Sequence, residues 1–91
     1  MTVTVRIPTQ LRPVVGGAAE VRVPTGTVRD VIVSVDERHP GFAARLFDDA
    51  GSLRRFVNVF VADEDIRFLE GLDTKVADGQ TLSVVPAVAG G

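Results

Sequence analysis

The C-terminus carries the residues of this chain that are best suited to chemistry. The sequence of 91 residues ends in Gly90-Gly91, shortly after a segment with the pattern of a β-strand. Because glycine has no Cβ atom, its backbone can enter a narrow channel and adopt conformations that are closed to other residues. An extended tail from Ala87 to Gly91 reaches about 17 Å. The carboxylate of Gly91 could therefore be delivered into the active site of another protein.

The side chains elsewhere in the sequence form no pattern that predicts a catalytic or metal site. His39 is the single histidine and precedes Pro40 at a predicted helix end, so we interpret it as a capping or surface imidazole. Asp63-Glu64-Asp65 lacks the glycine and the distal glutamate of a calcium loop, and we interpret it as a solvated turn. No Lys-Ser or Lys-Thr pair follows Gly16-Gly17, which argues against a phosphate-binding loop.

The charge and cysteine content argue against several classes of partner and chemistry. Ten lysines and arginines against twelve aspartates and glutamates give a net charge of −2, whereas nucleic-acid-binding proteins normally present a basic surface. The sequence contains no cysteine, so it has no disulfide, no cysteine metal site and no thiol that could hold sulfur as a persulfide. If this chain handles sulfur, a group other than a side chain must carry it.

The apolar content predicts a single folded domain that does not cross a membrane. Hydrophobic residues form 45% of the 91-residue chain, which is enough for one core. No apolar run approaches the roughly 18–20 residues of a membrane span. The first residues, Met1 to Arg6, lack the basic segment and apolar segment of a signal peptide. We therefore expect a cytoplasmic protein.

Two strands are predicted near the N-terminus. Val3, Val5 and Ile7 alternate with polar residues, which is typical of a half-buried strand. The same alternation returns from Glu20 to Val23. The two strands could pair as a hairpin, with Thr9 to Ala19 as its long loop.

A helix is predicted after these strands. Thr27 can cap the first turn through its hydroxyl, and Asp30 is well placed for the helix dipole. Apolar residues then recur at the spacing of one helix face, at Val28, Val31, Ile32 and Val35. A strand from Val31 to Val35 is the alternative, because β-branched residues have low helix propensity. The cap and the polar end at residues 36–38 favour the helix, and a short second helix is predicted from Phe42 to Leu46.

The second half of the chain is predicted to be mostly strands. The strongest pattern runs from Phe56 to Ala62, with Val57, Val59 and Val61 on one face and Phe56, Asn58 and Phe60 on the other. The pattern further along predicts a turn at 63–65, a short strand at 66–68, Leu72 in a loop, a tight turn at Asp78-Gly79 and a last strand from Thr81 to Pro86, with Leu82 and Val84 facing inward.

The element order β-β-α-β-(β)-β predicts an α+β fold in which one face of a sheet is buried against a helix. The simplest closure of this order is a β-grasp, or ubiquitin-like, fold. It would have a mixed sheet of four to five strands packed on one main helix, plus a short second helix. We expect residues 1–86 to form the domain and residues 87–91 to form a flexible tail that ends in Gly-Gly.

Three segments of the chain resemble the CysO-type sulfur carriers of the ThiS/MoaD family. They are residues 3–13, 56–68 and 77–91, and the Pro-Ala-Val-Ala-Gly-Gly ending is the most specific part. The looser ThiS and MoaD pattern is Asp-Gly-Asp-x-Val-x-x-x-Pro-x-x-x-Gly-Gly. Here Gln80 replaces its second Asp, and Thr81-Leu82 stands where x-Val would be. Both changes are compatible with a turn that enters a strand.

The resemblance implies that the chain is a protein co-substrate and not an enzyme. In such carriers a MoeB/ThiF-type enzyme uses ATP to adenylate the terminal carboxylate, which here belongs to Gly91. A sulfur donor then converts the terminus to a thiocarboxylate. Gly90, Ala89 and Val88 would be the tail residues that a partner recognises. The resemblance implies no catalytic residue, metal or cofactor for the chain itself, because ATP is used by the partner.

The resemblance also implies further partners and leaves alternatives open. The sulfur acceptor would be a PLP-dependent cysteine synthase or another sulfur-accepting enzyme, and a Mec-type metalloprotease would then release cysteine. A MoaD-like small subunit of molybdopterin synthase, a ubiquitin-like protein modifier and a binding module with an incidental Gly-Gly end are the alternatives. We expect no nucleic-acid partner and no membrane partner.

Partners are expected to dock on the sheet face opposite the helix and on the base of the tail. If the alternation described above holds, Phe56 and Phe60 form an apolar patch on that face. The alternative interpretation is that Phe60 packs under the second helix and completes the core.

Overall fold

The structure is a computed structural model that describes residues 1–55 and 57–86. The strands are β1 (Thr2–Arg6), β2 (Glu20–Pro24), β3 (Gly26–Thr27), β4 (Val57–Val61), β5 (Glu64–Asp65), β6 (Lys75–Val76) and β7 (Thr81–Pro86). The α-helices are α1 (Val28–Arg38) and α2 (Phe42–Leu46), and 3-10 helices span Thr9–Val15, Ile66–Phe68 and Gly71–Asp73.

Five of the strands form one mixed sheet in the order β2-β1-β7-β4-β5. β1 pairs antiparallel with β2 as the predicted hairpin, and it pairs parallel with β7 on its other side. β4 is antiparallel to both β7 and β5. The first and last strands of the chain are thus neighbours, and β7 lies at the centre. The predicted β-grasp fold, with a mixed sheet and a main helix, is confirmed.

The core lies between the inner face of this sheet and α1. The inward residues of α1 are fully buried, and they are Val28, Val31, Ile32 and Val35. The sheet contributes the alternate valines and leucine that the period-2 pattern predicts, namely Val3, Val5, Val21, Val23, Val59, Val61, Leu82 and Val84. A pattern of alternating apolar residues therefore places one face of each long strand against the helix.

The helical prediction for Val28 to Arg38 is confirmed, and the alternative strand is wrong. A complete capping box begins the helix: the Asp30 N–H donates to Thr27 Oγ1 at 3.1 Å, and the Thr27 N–H donates to Asp30 Oδ2 at 3.1 Å. Burial of the apolar face outweighs the low intrinsic propensity of the β-branched residues. The helix ends at His39, whose N–H donates to the Val35 carbonyl at 2.8 Å.

The second helix, α2, spans Phe42–Leu46 as predicted, and its terminal residues Phe42 and Leu46 are fully buried. The carboxylate of Asp36 ties α2 to α1 by accepting from the N–H groups of Gly41 and Ala43, both at 3.0 Å. Gly41 has a φ of 105°, a conformation that favours glycine, so the sharp reversal between the helices needs this residue.

The prediction of a plain loop from Thr9 to Ala19 is wrong. Residues Thr9–Val15 form a 3-10 helix that begins with a hydrogen bond from the Leu11 N–H to the Pro8 carbonyl at 2.9 Å. Val15 at its end is 2% exposed and joins the core. Burial of Val15 holds the segment in this conformation. No periodic pattern in the sequence predicts that this valine is buried.

The hairpin turn between β4 and β5 falls one residue earlier than predicted. Ala62 and Asp63 occupy the two turn positions with φ values of 50° and 72°. Both values lie in the left-handed region that a two-residue hairpin turn of this type requires. Of the predicted turn at 63–65, only Asp63 is in the turn, and Glu64–Asp65 forms β5.

The prediction of a strand at Ile66–Phe68 is also wrong, because these residues form a 3-10 helix. The Asp65 carboxylate accepts a hydrogen bond from the Arg67 N–H at 2.8 Å, and this cap starts the helix. A side chain that bonds the nearby backbone competes with strand pairing. Ile66 is only 1% exposed, so the tight turn also buries an apolar side chain.

A second, two-stranded sheet is absent from the sequence-based prediction. β3 pairs antiparallel with β6, and the Val28 N–H donates to the Thr74 carbonyl at 2.8 Å beside them. Leu72, predicted in a loop, lies in the 3-10 helix Gly71–Asp73. Each strand of this sheet has two residues, which is too short to show a period.

Candidate functional site: the base of the C-terminal tail

Strand β7 holds the base of the predicted tail in the middle of the sheet. It pairs with β1 on one side and β4 on the other, and its last residue, Pro86, is paired with Val57. Leu82 and Val84 anchor the strand in the core, with 0% and 4% exposure. The last strand ends at Pro86 as predicted, so residue 87 would start from a fixed position.

The predicted tail residues lie outside the described part of the chain. Gly91, the predicted site of adenylation and thiocarboxylate formation, is among them, together with Gly90, Ala89 and Val88. Their roles therefore stay predictions, as does the division into a domain of residues 1–86 and a tail of residues 87–91.

The outer face of the sheet, opposite α1, is mixed polar and apolar near the base of the tail. Phe60 on β4 is paired with Ser83 on β7, and Asn58 is paired with Val85, which is 44% exposed. Phe60 is half-buried and belongs to the face opposite Val59. The interpretation that Phe60 packs under the second helix is therefore wrong. Phe56, its predicted companion in the patch, lies outside the described residues.

A cleft of about 550 Å³ opens beside the end of β7. Its wall on the β7 side is Ser83 to Pro86, and its other walls are Arg6 to Gln10 and Arg12. The half-buried Arg12 is anchored, because its Nε donates to the Ile7 carbonyl at 3.2 Å. Arg6 lies 3.7 Å from a Glu20 carboxylate oxygen, and both side chains are exposed. The cleft thus lies next to the base of the tail.

An ion pair marks the edge of the same sheet. The Arg67 guanidinium lies 2.7 Å from Asp65 Oδ2, and Asp65 is the β5 residue paired with Phe60. The hydrogen bonds from Arg67 to the Asp65 side chain lower the pKa of that carboxyl, and the same pair raises the pKa of Arg67. The sequence-based interpretation placed Asp65 in a solvated turn and therefore missed this pair. The turn is formed by residues 62–63 instead, so Asp65 lies in β5, and this position decides which way its carboxylate faces.

Neither a cluster of metal-ligating side chains nor a helix that could span a membrane occurs among the described residues. Within residues 1–55 and 57–86, no group of three or more histidine, cysteine, aspartate or glutamate side chains is gathered as a metal site would require. None of the helices in that part of the chain is long and apolar enough to span a membrane. His39 lies at the end of α1, where the sequence placed it.

Comparison with known proteins places this architecture in a family. The sequence profile of the ThiS family matches residues 5–91. The chain belongs to the ThiS family. Among curated relatives, this ThiS-family chain is 47% identical to the sulfur carrier protein CysO of Mycobacterium tuberculosis, and the match spans 100% of both chains. It is also 40% identical to small archaeal modifier protein 3 of Haloferax volcanii over 71% of this chain and 70% of that protein.

Solved structures agree with the family assignment. A chain in the crystal structure of the Amycolatopsis orientalis BexX/CysO complex is 50% identical to this ThiS-family chain and superposes with a TM-score of 0.92. That match covers 98% of this chain and 99% of the other. The resemblance to CysO-type carriers that the sequence suggested is therefore confirmed in both sequence and fold.

Proposed function

We propose that this chain is a sulfur carrier that bears sulfur as a thiocarboxylate on Gly91. The observation that carries the proposal is the similarity to a sulfur carrier protein along the full length of both chains, at 47% identity. The fold supports it, because β7 is held in the centre of the sheet and ends at Pro86, five residues before the terminus. The chain itself is a co-substrate, and its partners supply the catalytic groups.

The chemistry needs two steps at the terminal carboxyl group. A carboxylate is a poor electrophile, so its oxygen first attacks the α-phosphorus of ATP and pyrophosphate leaves, which forms an acyl adenylate. A hydrosulfide ion then attacks the carbonyl carbon, AMP leaves with the electron pair of the broken C–O bond, and the proton of the hydrosulfide is lost to solvent. The product is a C-terminal thiocarboxylate whose sulfur stays nucleophilic and is attached to a protein handle.

The partners that this chemistry requires are enzymes. A MoeB/ThiF-type enzyme would carry out the adenylation, and a PLP-dependent cysteine synthase or another sulfur-accepting enzyme would take the sulfur. A Mec-type metalloprotease would release the product in a cysteine pathway. Because adenylation consumes ATP, we assign the carrier to the cytoplasm. The chain needs no cofactor of its own, since the ATP and any PLP are bound by these partners.

Recognition would use the tail and the outer face of the sheet together. Gly90, Ala89 and Val88 would thread into the active site of the partner, where residues without bulky side chains fit a narrow channel. Phe60 and Phe56 would contribute apolar contact area on the outer face of the sheet. Phe60 is half-buried and faces away from the core, so it is available for such a contact.

Intact-protein mass spectrometry tests the proposal. The carrier is incubated with ATP, the activating enzyme and sulfide, and a product about 16 Da heavier than the carboxylate form is expected. A variant that lacks Gly91 is the matched control. It should keep the melting temperature of the parent but gain no mass, because its chain end falls short of the reacting phosphate. A carrier that stays unmodified with every component present would refute the proposal.

A ubiquitin-like modifier is the second candidate, and the similarity to small archaeal modifier protein 3 favours it. An activated Gly91 would then be transferred to lysine amines and not to sulfur. Trypsin cleaves after Lys75 and meets no later lysine or arginine, so tryptic digestion of the cellular proteome should in that case leave remnants that run from Val76 to Gly91 on lysines of other proteins. If the remnants are absent and the thiocarboxylate is present, the carrier function stands alone.

A further inference from the structure

The arginines around the base of the tail form an interaction surface. We propose that Arg12, Arg6 and Arg55 dock onto acidic residues at the mouth of the active site of the activating enzyme. This inference rests on the proposed function and adds the chemistry of the partner surface: an acidic rim that surrounds the entrance to the tail channel.

The cleft beside β7 carries positive charge. Among the described residues that line it, Arg6 and Arg12 are charged and none is acidic, while Arg6 also lies 3.7 Å from a Glu20 carboxylate oxygen. Within the described residues, Arg12 forms no ion pair with a carboxylate. Its Nε is held by the Ile7 carbonyl, so the guanidinium has a fixed position and its terminal nitrogens remain to donate to a partner.

Arginines also lie on the other side of the base of the tail. Arg54 and Arg55 are both exposed and lie three and two residues before Val57, the first residue of β4, which is paired with Pro86. Arg54 is tied down by hydrogen bonds from its Nε and terminal nitrogen to the Ala44 carbonyl, at 3.3 and 3.1 Å. Positive charge therefore flanks the point where β7 ends.

The opposite end of β7 is acidic. Asp63, in the turn next to Thr81, is exposed, and so are Glu64 and Asp78. The Asp78 carboxylate accepts from the Thr2 N–H at 3.0 Å, which places it at the start of β1, beside the start of β7. The chain has a net charge of −2, and these three carboxylates lie around the start of β7, level with which Arg22 also lies. Arg12, Arg54 and Arg55 lie near the end of β7, and Arg6, level with Ser83, is 3.7 Å from a Glu20 carboxylate oxygen. The balance of charge is therefore acidic at the start of β7 and basic where the tail begins.

This separation of charge fits an enzyme that must receive the tail. An acidic rim would attract the basic end of the carrier over roughly 10 Å at physiological salt and turn the tail toward the channel. On contact, Pro8 and Val85 offer apolar surface inside the cleft, and the fixed Arg12 can bind a carboxylate with two parallel hydrogen bonds. Charge complementarity of this kind speeds encounter and fixes orientation.

Charge reversal with a matched control tests the inference. Arg12→Glu and Arg55→Glu are compared with Arg22→Glu, which makes the same change on an exposed arginine of the edge strand β2, three strands away from Phe60 on β4. Arg22 on β2 is paired with Thr4 on β1, and Thr4 is paired with Thr81 on β7. Arg22 is therefore level with the start of β7, the end of the strand that is far from the tail. That end lies about 17 Å along the strand from Pro86. Melting temperatures establish that each variant is folded. If loss of the hydrogen bond from Arg12 to Ile7 unfolds Arg12→Glu, the result for Arg55→Glu still tests the inference.

The readout is ATP–pyrophosphate exchange by the activating enzyme, measured against carrier concentration. At low ionic strength we expect KM to rise about tenfold for Arg12→Glu and Arg55→Glu and to stay within about twofold for Arg22→Glu. The maximal rate should not change, because Gly91 is intact. The difference in KM should shrink as salt rises to roughly 0.5 M. An unchanged KM, or an equal rise for the control, overturns the inference.

Failure of this inference is distinguishable from failure of the proposed function. If the wild-type carrier supports no exchange, the proposed function itself fails. Exchange that is insensitive to Arg12 and Arg55 refutes only the docking surface. Sedimentation velocity examines the competing occupant, a second copy of the chain. A wild-type dimer that Arg12→Glu dissociates would assign the cleft to self-association and overturn the inference.

Discussion

Replacing Leu82 by alanine should weaken the fold strongly without touching the chemistry of the tail. Leu82 is fully buried on β7 and is paired with Val5 on β1 and with Val61 on β4. Substitution of such a buried leucine by alanine lowers the free energy of unfolding by about 2–5 kcal/mol, because apolar atoms lose their burial and a cavity is left behind. Neighbours on both sides are held in a paired strand and cannot collapse into the space, so we expect about 3 kcal/mol.

The total free energy of unfolding of a chain of this length is about 5–14 kcal/mol. A loss of about 3 kcal/mol therefore leaves more than about 90% of the molecules folded at 25 °C even at the low end of that range. The melting temperature should fall by roughly 12–24 °C. Urea unfolding, followed by far-ultraviolet circular dichroism, measures the free energy directly, and its midpoint should fall by roughly 1–3 M.

Val85→Ala is the control, because Val85 follows Leu82 on the same strand but faces outward and is 44% exposed. It should cost less than about 1 kcal/mol. Adenylation at 25 °C should persist in Leu82→Ala and vanish in the variant without Gly91, which keeps its stability. Equal losses of stability for Leu82→Ala and Val85→Ala would refute the placement of β7, since the two side chains would then share one environment.

Two further predictions concern the cap and the ion pair. Thr27→Ala should lower the free energy of unfolding, measured in urea melts, by about 1 kcal/mol, because it removes the hydroxyl that accepts from the Asp30 N–H. Thr27→Ser keeps a hydroxyl and should recover most of this loss. Equal stability of the two variants would contradict the capping box. The lowered pKa of Asp65 stabilises the fold above the ordinary carboxyl pKa of about 3.9, and this stabilisation is lost as the pH falls through the pKa of the folded state. Asp65→Asn should therefore flatten the dependence of unfolding free energy on pH below about pH 4; an unchanged slope would count against the pair.

The long elements could be predicted because their patterns are local. Alternating valines in β1 and β4 and the helical spacing from Val28 to Val35 each repeat several times, and each repeat points to the same buried face. The capping box of α1 also lies within four consecutive residues, Thr27 to Asp30, so its signal is complete in the sequence. These patterns and the order of the elements were sufficient to predict the β-grasp fold.

The short elements could not be predicted for the opposite reason. β3, β5 and β6 have two residues each; β3 and β6 exist through pairing of distant segments, such as Gly26 with Val76, and β5 exists through its hairpin with β4. The strand expected at Ile66–Phe68 became a 3-10 helix because the turn closed at Ala62 and Asp63 and the Asp65 carboxylate then capped the chain. A turn shifted by one residue changes the pairing of every residue after it.

The sequence by itself determined the order of the long elements, their buried faces and the chemistry expected of a terminal Gly-Gly, because each depends on residues that are adjacent or periodic along the chain. The tertiary structure alone decided that β7 is central, that Phe60 faces outward and that Arg6 and Arg12 share a cleft beside Pro86. The central place of β7 and the shared cleft follow from the parallel pairing of the first and last strands, and the orientation of Phe60 follows from the pairing of β4 with β7. The parallel pairing joins residues almost eighty positions apart in the sequence. A local sequence pattern cannot predict contacts between residues at such a separation.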